Sequence, residues 1–228
     1  MDVAWAGTTI SSKSCVKYIV GLELDQTLSG DQIADKIISK SSAKLKFLYR
    51  QAKHFDLQTK RLLTSALIQC HMDYASSSWY SGLTKTNKGR LQIMQNKIIR
   101  FLLNAPPRAH IGPDQFRQVN MLPVQLRVQQ LKLNHMYNIV NNNAPDYMSA
   151  SVSINSSGHN TRSSTLSLVI PQVKSYGATS FSYTGVKCWN SLPSQVRTCN
   201  SKLIFKNRVK QFLYQELATQ ESSQYIYF

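Results

Sequence analysis

The chain has 228 residues, 42% of them hydrophobic and 10% aromatic, with 27 Lys and Arg against 11 Asp and Glu for a formal charge of +16. This is the composition of a globular protein long enough for one sizeable domain or two small ones. No apolar run approaches the ~20 residues of a membrane span and the N-terminus lacks a signal-peptide core, so an intracellular, soluble protein without membrane partners is expected.

In chain order, residues 16–25 set Val16, Tyr18, Val20, Leu22 and Leu24 on one face at period two with Gly21 interrupting, which predicts a strand or bent hairpin. Ser29 to Gln32 reads as a capping box opening a helix over about 30–53, with Ile33, Ile37, Leu45, Leu48 and Ala52 inward and Lys36, Lys40, Lys44 and Arg50 outward. Asp56 predicts the N-cap of a second helix whose apolar side is Leu63, Ala66, Leu67 and Cys70. A third is predicted over 85–103, burying Leu91, Met94, Ile98, Phe101 and Leu102 and stopped by Pro106-Pro107. Asp114 is expected to cap a short helix, and Pro123 to start a longer one ending at Asn141-Asn142-Asn143.

From Ala144-Pro145 onward the character changes. Residues 149–167 are rich in Ser, Thr and Asn and read as a linker, while Leu168–Ile170 and Phe181–Tyr183 read as short strands. Residues 201–217 form a basic amphipathic pattern, with Leu203, Phe205, Val209, Phe212, Leu213 and Leu217 on the apolar side. The fold class expected is mainly α. A short β-hairpin (1–28) precedes a helical bundle (29–148), a linker (149–167) and a small mixed α/β module (168–228).

The charge is concentrated. Residues 1–56 hold 8 basic and 6 acidic side chains and residues 216–228 only Glu216 and Glu221, so 57–215 carries 19 basic against 3 acidic. Such an excess repels itself unless a polyanion neutralises it, which implies nucleic acid or an anionic membrane surface, and RNA or DNA is the partner expected. On the third helix Arg90, Lys97 and Arg100 fall within roughly 80° of one another at about 100° per residue, with Asn96 able to reach a sugar or phosphate. Lys60 and Arg61 form a second group, and Lys206, Arg208 and Lys210 a third on the last helix. Trp189, Phe181 and Tyr183 read as core anchors, with base stacking as the alternative. Cys15, Cys70, Cys188 and Cys199 make no Cys-x-x-Cys pair and read as reduced thiols, and the five histidines form no local ligand set.

Several segments resemble, in order, reverse transcriptases of non-LTR (LINE-type) retrotransposons. Lys17-Tyr18, Gly21 and Leu24-Asp25 are similar to the family's strand beside the primer grip, with one more residue between Tyr18 and Gly21 than the family has. That residue must become a bulge or damage the hairpin. Leu67-Ile68 through Asp73-Tyr74 and Trp79 resemble a thumb helix and its closing turn, and Leu91-Gln92-x-x-Gln95-Asn96-Lys97-x-x-Arg100 the next thumb helix. Leu122-Pro123, Ala144 to Tyr147, His159 to Ser163, Pro171 and Gly185 to Pro193 keep the family's order, with Gly185 read as a turn. The resemblance implies a palm-end remnant, a thumb that holds template–primer through phosphates, and a C-terminal module, in a nuclear protein that the missing palm and fingers would complement. It assigns no catalytic residue and no cofactor here. The family's Mg²⁺ ions need paired aspartates, this sequence has no Asp-Asp, and Asp25, Asp31, Asp35, Asp56 and Asp73 read as surface, cap or turn carboxylates. The chain alone is expected to be inactive; the alternative is an element-derived structural or interaction protein.

Overall fold

The computed structural model describes residues 29–155 and 166–219 in full, and before them residues 3–5, 8–10, 15–19 and 21–25, mostly as backbone alone. Two antiparallel hairpins come first: β1 (Val3–Trp5) with β2 (Thr8–Ile10), and β3 (Cys15–Ile19) with β4 (Leu22–Asp25). The β3–β4 register shifts between Lys17 and Ile19, a β-bulge or irregularity at Tyr18, and pairing resumes at Ile19 with Leu22. The side chains of Val16, Tyr18, Val20 and Leu24 lie outside the described residues.

Among the described residues after this, the regular structure is helical apart from one isolated bridge between Ile154 and Leu168. Helix α1 (Asp31–Gln51) buries Ile33, Ile37, Leu45 and Leu48 as the spacing predicts, together with Ala34 and Ser41. Its N-cap is Gly30 at φ 73°, a conformation that suits glycine, and a Cβ there would run into Leu83 Cδ2. The expected capping box does not form. Because Gly30 turns left-handed, Ser29 stands one residue too far out, and its hydroxyl instead donates to Asp31 Oδ2 (2.9 Å).

Helix α2 (Leu57–Thr64) is capped by Asp56, whose Oδ1 accepts the Thr59 N–H at 2.9 Å. It runs into a π-helical turn (Ser65–Gln69) and α3 (Cys70–Asp73). Of the expected apolar side, Leu63 and Leu67 pack half-buried against the core but Ala66 and Cys70 are exposed, and the buried positions are Lys60, Thr64, Ile68, Gln69 and Met72. A π turn adds a residue and rotates the face that follows. Before it, Thr64 is buried because its hydroxyl is satisfied by the Lys60 carbonyl (2.8 Å).

After α4 (Ser76–Trp79), helix α5 spans Lys85–Leu103 between a Thr84 cap and a left-handed Asn104 at φ 52°, and all five residues of its expected stripe are buried. Helix α6 (Pro113–Gln118) is capped two residues earlier than expected. Gly112 is the N-cap and its N–H is taken by Gln115 Oε1 (2.8 Å), while Asp114 points outward from the first turn. Helix α7 (Val124–Val140) starts after Pro123, whose follower donates its N–H to Gln92 Oε1 of α5 at 3.0 Å.

Helix α7 is the hub. Its buried residues, from Val124 through Leu126, Val128, Leu133 and Tyr137 to Ile139, surround the axis rather than forming one stripe, as in a helix covered on several sides. It packs on α3, α4 and α5, on the short α8 (Asp146–Ser149), and on α9 (Phe181–Asn190) and α11 (Lys202–Thr219), with α10 (Ser194–Arg197) against α11. Along α11, Phe205, Val209, Leu213 and Leu217 are buried, but Leu203 is 69% exposed.

The strand expected at Phe181–Tyr183 is a helix start: Ser180 Oγ accepts the Tyr183 N–H at 3.3 Å and caps α9. Leu168–Ile170 contributes only the single bridge. The most distinctive sequence segment thereby acquires a structural role. Gly185 is not in a turn but faces α7, where a Cβ would stand 3.0 Å from Met136 Sδ. Trp189 is fully buried, stacks on Phe205 at 5.7 Å and donates Nε1–H to the Leu166 carbonyl at 2.8 Å. Asn190 brackets Leu168, accepting its N–H (2.9 Å) and donating to its carbonyl (2.8 Å). These side-chain bonds replace a strand ladder. The expected 149–167 linker is described only at its two ends, and His159 to Ser163 lie outside the described residues.

Candidate nucleic-acid interface

Helices α1 and α5 run parallel, as successive contacts show: Asn87 Nδ2 to Asp31 Oδ1 (2.5 Å), Arg90 to Asp35 (2.5 Å), Ser42 to Met94 Sδ (3.4 Å), and Tyr49 edge-on to Phe101 (4.8 Å between centroids). Asp35, Ser42 and Tyr49 recur every seven residues along the α5-facing side of α1. Lys46, four residues after Ser42 and three before Tyr49, belongs to the same side. On α5, Lys97 lies three residues beyond Met94 and seven beyond Arg90, so Lys46 and Lys97 flank one seam, and both are exposed. Arg50 and Arg100 continue this seam; Arg100 lies close enough to Tyr49 to favour its phenolate, although burial, the larger influence, raises the Tyr49 pKa. The acids near the seam are engaged, Asp31 by Asn87 and Ser29 and Asp35 by Arg90, so the outward side of the pair is cationic.

The sequence-predicted residues meet different fates. Lys97 is exposed; Arg90 is half-exposed and shared with Asp35; Arg100 keeps its outward flank but donates Nε–H to the Ala109 carbonyl at 2.8 Å. Asn96 is withdrawn from any ligand, buried with its Oδ1 accepting from Gln92 (3.0 Å). Lys60 is withdrawn too. It is only 3% exposed, its ammonium bound to Asn104 Oδ1 (2.5 Å) and placed 5.2 Å from the centre of the Phe101 ring. It holds α2 to the C-terminus of α5. Lys206 and Arg208 are exposed on α11, Arg208 donating to the Gln195 carbonyl at 2.9 Å, while Lys210 is half-buried and donates to Asn120 Oδ1 at 2.6 Å.

Arg61 and Lys210, distant in sequence, line one cleft between α2, the α6–α7 turn and α11, and Arg127 of α7 joins them. Sequence reasoning missed Arg127. Its position on a helix buried on most sides gave no outward-facing pattern, and only Asp73 across the fold explains it: the carboxylate takes the guanidinium at 2.7 and 3.2 Å. Lys46 was equally missed, because a helix-pair seam exists only once two helices are side by side.

Four of the carboxylates with described side chains are each engaged by other groups of the fold. Asp31, Asp35, Asp56 and Asp73 are taken respectively by Asn87 and Ser29, by Arg90, by the α2 N-terminus and by Arg127 and Gln69. The Asp25 side chain lies outside the described residues. Among the described residues no three His, Cys, Asp or Glu side chains converge as a metal-holding group, and no helix is long and apolar enough to cross a membrane. Cys70, Cys188 and Cys199 are free thiols.

No protein-family model matches the chain, and neither a similar curated protein nor a similar solved structure was found.

Proposed function

We propose that the chain is the C-terminal portion of a non-LTR retrotransposon-type RNA-directed DNA polymerase and contributes sequence-independent contact with template–primer nucleic acid, the catalytic aspartates belonging to palm segments outside it. The ordered motif resemblance supplies the family. The observation that carries the binding role is the α1–α5 seam, where Lys46, Lys97, Arg50 and Arg100 share a flank whose nearby acids are already engaged. Point charges along two parallel helices suit phosphates rather than base edges, so affinity is independent of sequence.

Anisotropy titration of a labelled mixed-sequence RNA–DNA duplex tests this reading. Equal affinity for two unrelated duplex sequences, weakened by Lys46→Ala with Lys97→Ala, supports it. Undetectable binding in low salt by the folded protein would refute it and favour an element-derived structural or interaction protein.

A further inference from the structure

The cleft holding Arg61, Arg127 and Lys210 has a volume of about 890 Å³, within the usual size for a small-molecule site. Two of its cations are set in place by other side chains. Arg127 is clamped by Asp73 and by Gln130 Oε1, which accepts from Nη1 at 2.8 Å; this leaves two of its five N–H groups unused. Lys210 is steadied by Asn120, donating to its Oδ1 at 2.6 Å and to its carbonyl at 3.4 Å, and retains one ammonium N–H. Burial lowers the Lys210 pKa first, and repulsion from Arg127 and then Arg61 lowers it further, so the three cations act on one another across the cleft. An anion between them would relieve that repulsion.

The wall between Arg61 and Arg127 is the π-helical turn. Ser65 and Gln69 line the cleft from it, and Gln69 Oε1 is buried without a hydrogen-bond partner. The mouth is apolar: Leu57 and Leu62, 41% and 69% exposed, stand beside Arg61. Asp56 also sits on the rim, but its carboxylate is committed to capping α2. Cations within and uncovered leucines at the entrance match a ligand with an anionic end and a flat, weakly polar end.

We propose that this cleft binds one phosphorylated nucleotide, its phosphate among Arg61, Arg127 and Lys210 and its base against Leu57 and Leu62. The ligand is either a free nucleoside phosphate or a nucleotide within a single strand. The inference shares its ligand class with the function proposed above but stands on other residues, none of them on the α1–α5 seam.

Calorimetric titration of the whole chain with adenosine monophosphate, adenosine, inorganic phosphate and a single-stranded oligothymidylate tests it. Adenosine monophosphate should bind and adenosine should not. Arg61→Gln and Lys210→Gln should each weaken binding about 10-fold, the size of one lost charge-assisted contact, and leave the melting curve near that of the parent. Oligothymidylate competing with adenosine monophosphate identifies a strand as the source; failure to compete identifies the free nucleotide. Inorganic phosphate binding as tightly as adenosine monophosphate, equal binding by adenosine, or no nucleotide binding by the unmodified protein would overturn the proposal. The Lys46→Ala, Lys97→Ala protein should bind adenosine monophosphate like the parent while losing duplex affinity, so this inference and the seam fail independently.

Discussion

Trp189 allows two opposed roles for an aromatic in a basic segment to be separated by one substitution. Its ring is fully buried against Phe205, and its Nε1–H satisfies the Leu166 carbonyl at 2.8 Å, next to where Asn190 holds Leu168. Trp189→Phe keeps an aromatic in the site but orphans that carbonyl and leaves space beside Phe205. The lost bond and the unpaired, part-buried acceptor together cost about 1–3 kcal/mol. In a chain of this size each kcal/mol moves the midpoint by about 2–4 °C, so a fall of at least ~2 °C and up to about 12 °C is expected. Trp189→Ala should cost about 3–5 kcal/mol, a large share of the ~5–15 kcal/mol typical of a folded domain. Circular dichroism melts, rather than fluorescence, avoid confusion with Trp5 and Trp79. A Trp189→Phe protein that melts with the parent yet loses affinity for single strands would refute the structural role and place the ring on a base.

Three further outcomes follow from buried or constrained positions. Lys132 is 5% exposed and donates to Thr184 Oγ1 (2.9 Å) and to Ser81 Oγ; its pKa is lowered chiefly by burial, with Cys188 opposing and Lys88 adding to the shift. Because the folded pKa lies below the unfolded value of about 10.4, the unfolded chain binds the extra proton in that window. Stability therefore rises with pH there. Lys132→Met should gain most over the parent below the folded pKa, with the gain fading towards about pH 10.4; parallel urea-denaturation curves across pH would contradict this. Gly30→Ala should destabilise by more than the ~1–2 kcal/mol of a left-handed residue, since Leu83 must also move, and an unchanged urea midpoint would count against that cap. Asp73→Asn removes the charge that clamps Arg127 and should lower stability by about 1.5–3 kcal/mol, read by the same denaturation.

What the sequence showed and what it hid have physical causes. Helix α5 was legible because its apolar stripe is uninterrupted and Pro106-Pro107 bar its continuation, although the Thr84 and Asn104 caps that fix its ends were not read from the sequence. The β3–β4 hairpin was legible because its apolar positions alternate up to Gly21, where the chain turns. The α2–α3 face was not, since a π turn leaves no hydropathic trace and Lys60 is buried by a partner 44 residues away. Phe181–Tyr183 looked like a strand from its aromatics, whereas the deciding feature was the Ser180 hydroxyl. Within the candidate interface only Lys97 is fully exposed; Arg90 and Arg100 are half-buried and tied to Asp35 and to the Ala109 carbonyl, partners that helical spacing does not reveal. Asn96 was lost because only a neighbour, Gln92, determines whether an amide at that position faces solvent or core.

The account depends on phosphates being held by exposed cations of the α1–α5 pair, and the salt dependence of duplex affinity reads this directly. Plotted as logarithms, affinity against salt concentration should fall linearly with a slope of about −0.9 per phosphate contacted. Replacing both Lys46 and Lys97 with Ala should reduce the steepness by about 1.8, two contacts' worth on that scale. A slope near zero, or one unchanged by the double substitution, would contradict it.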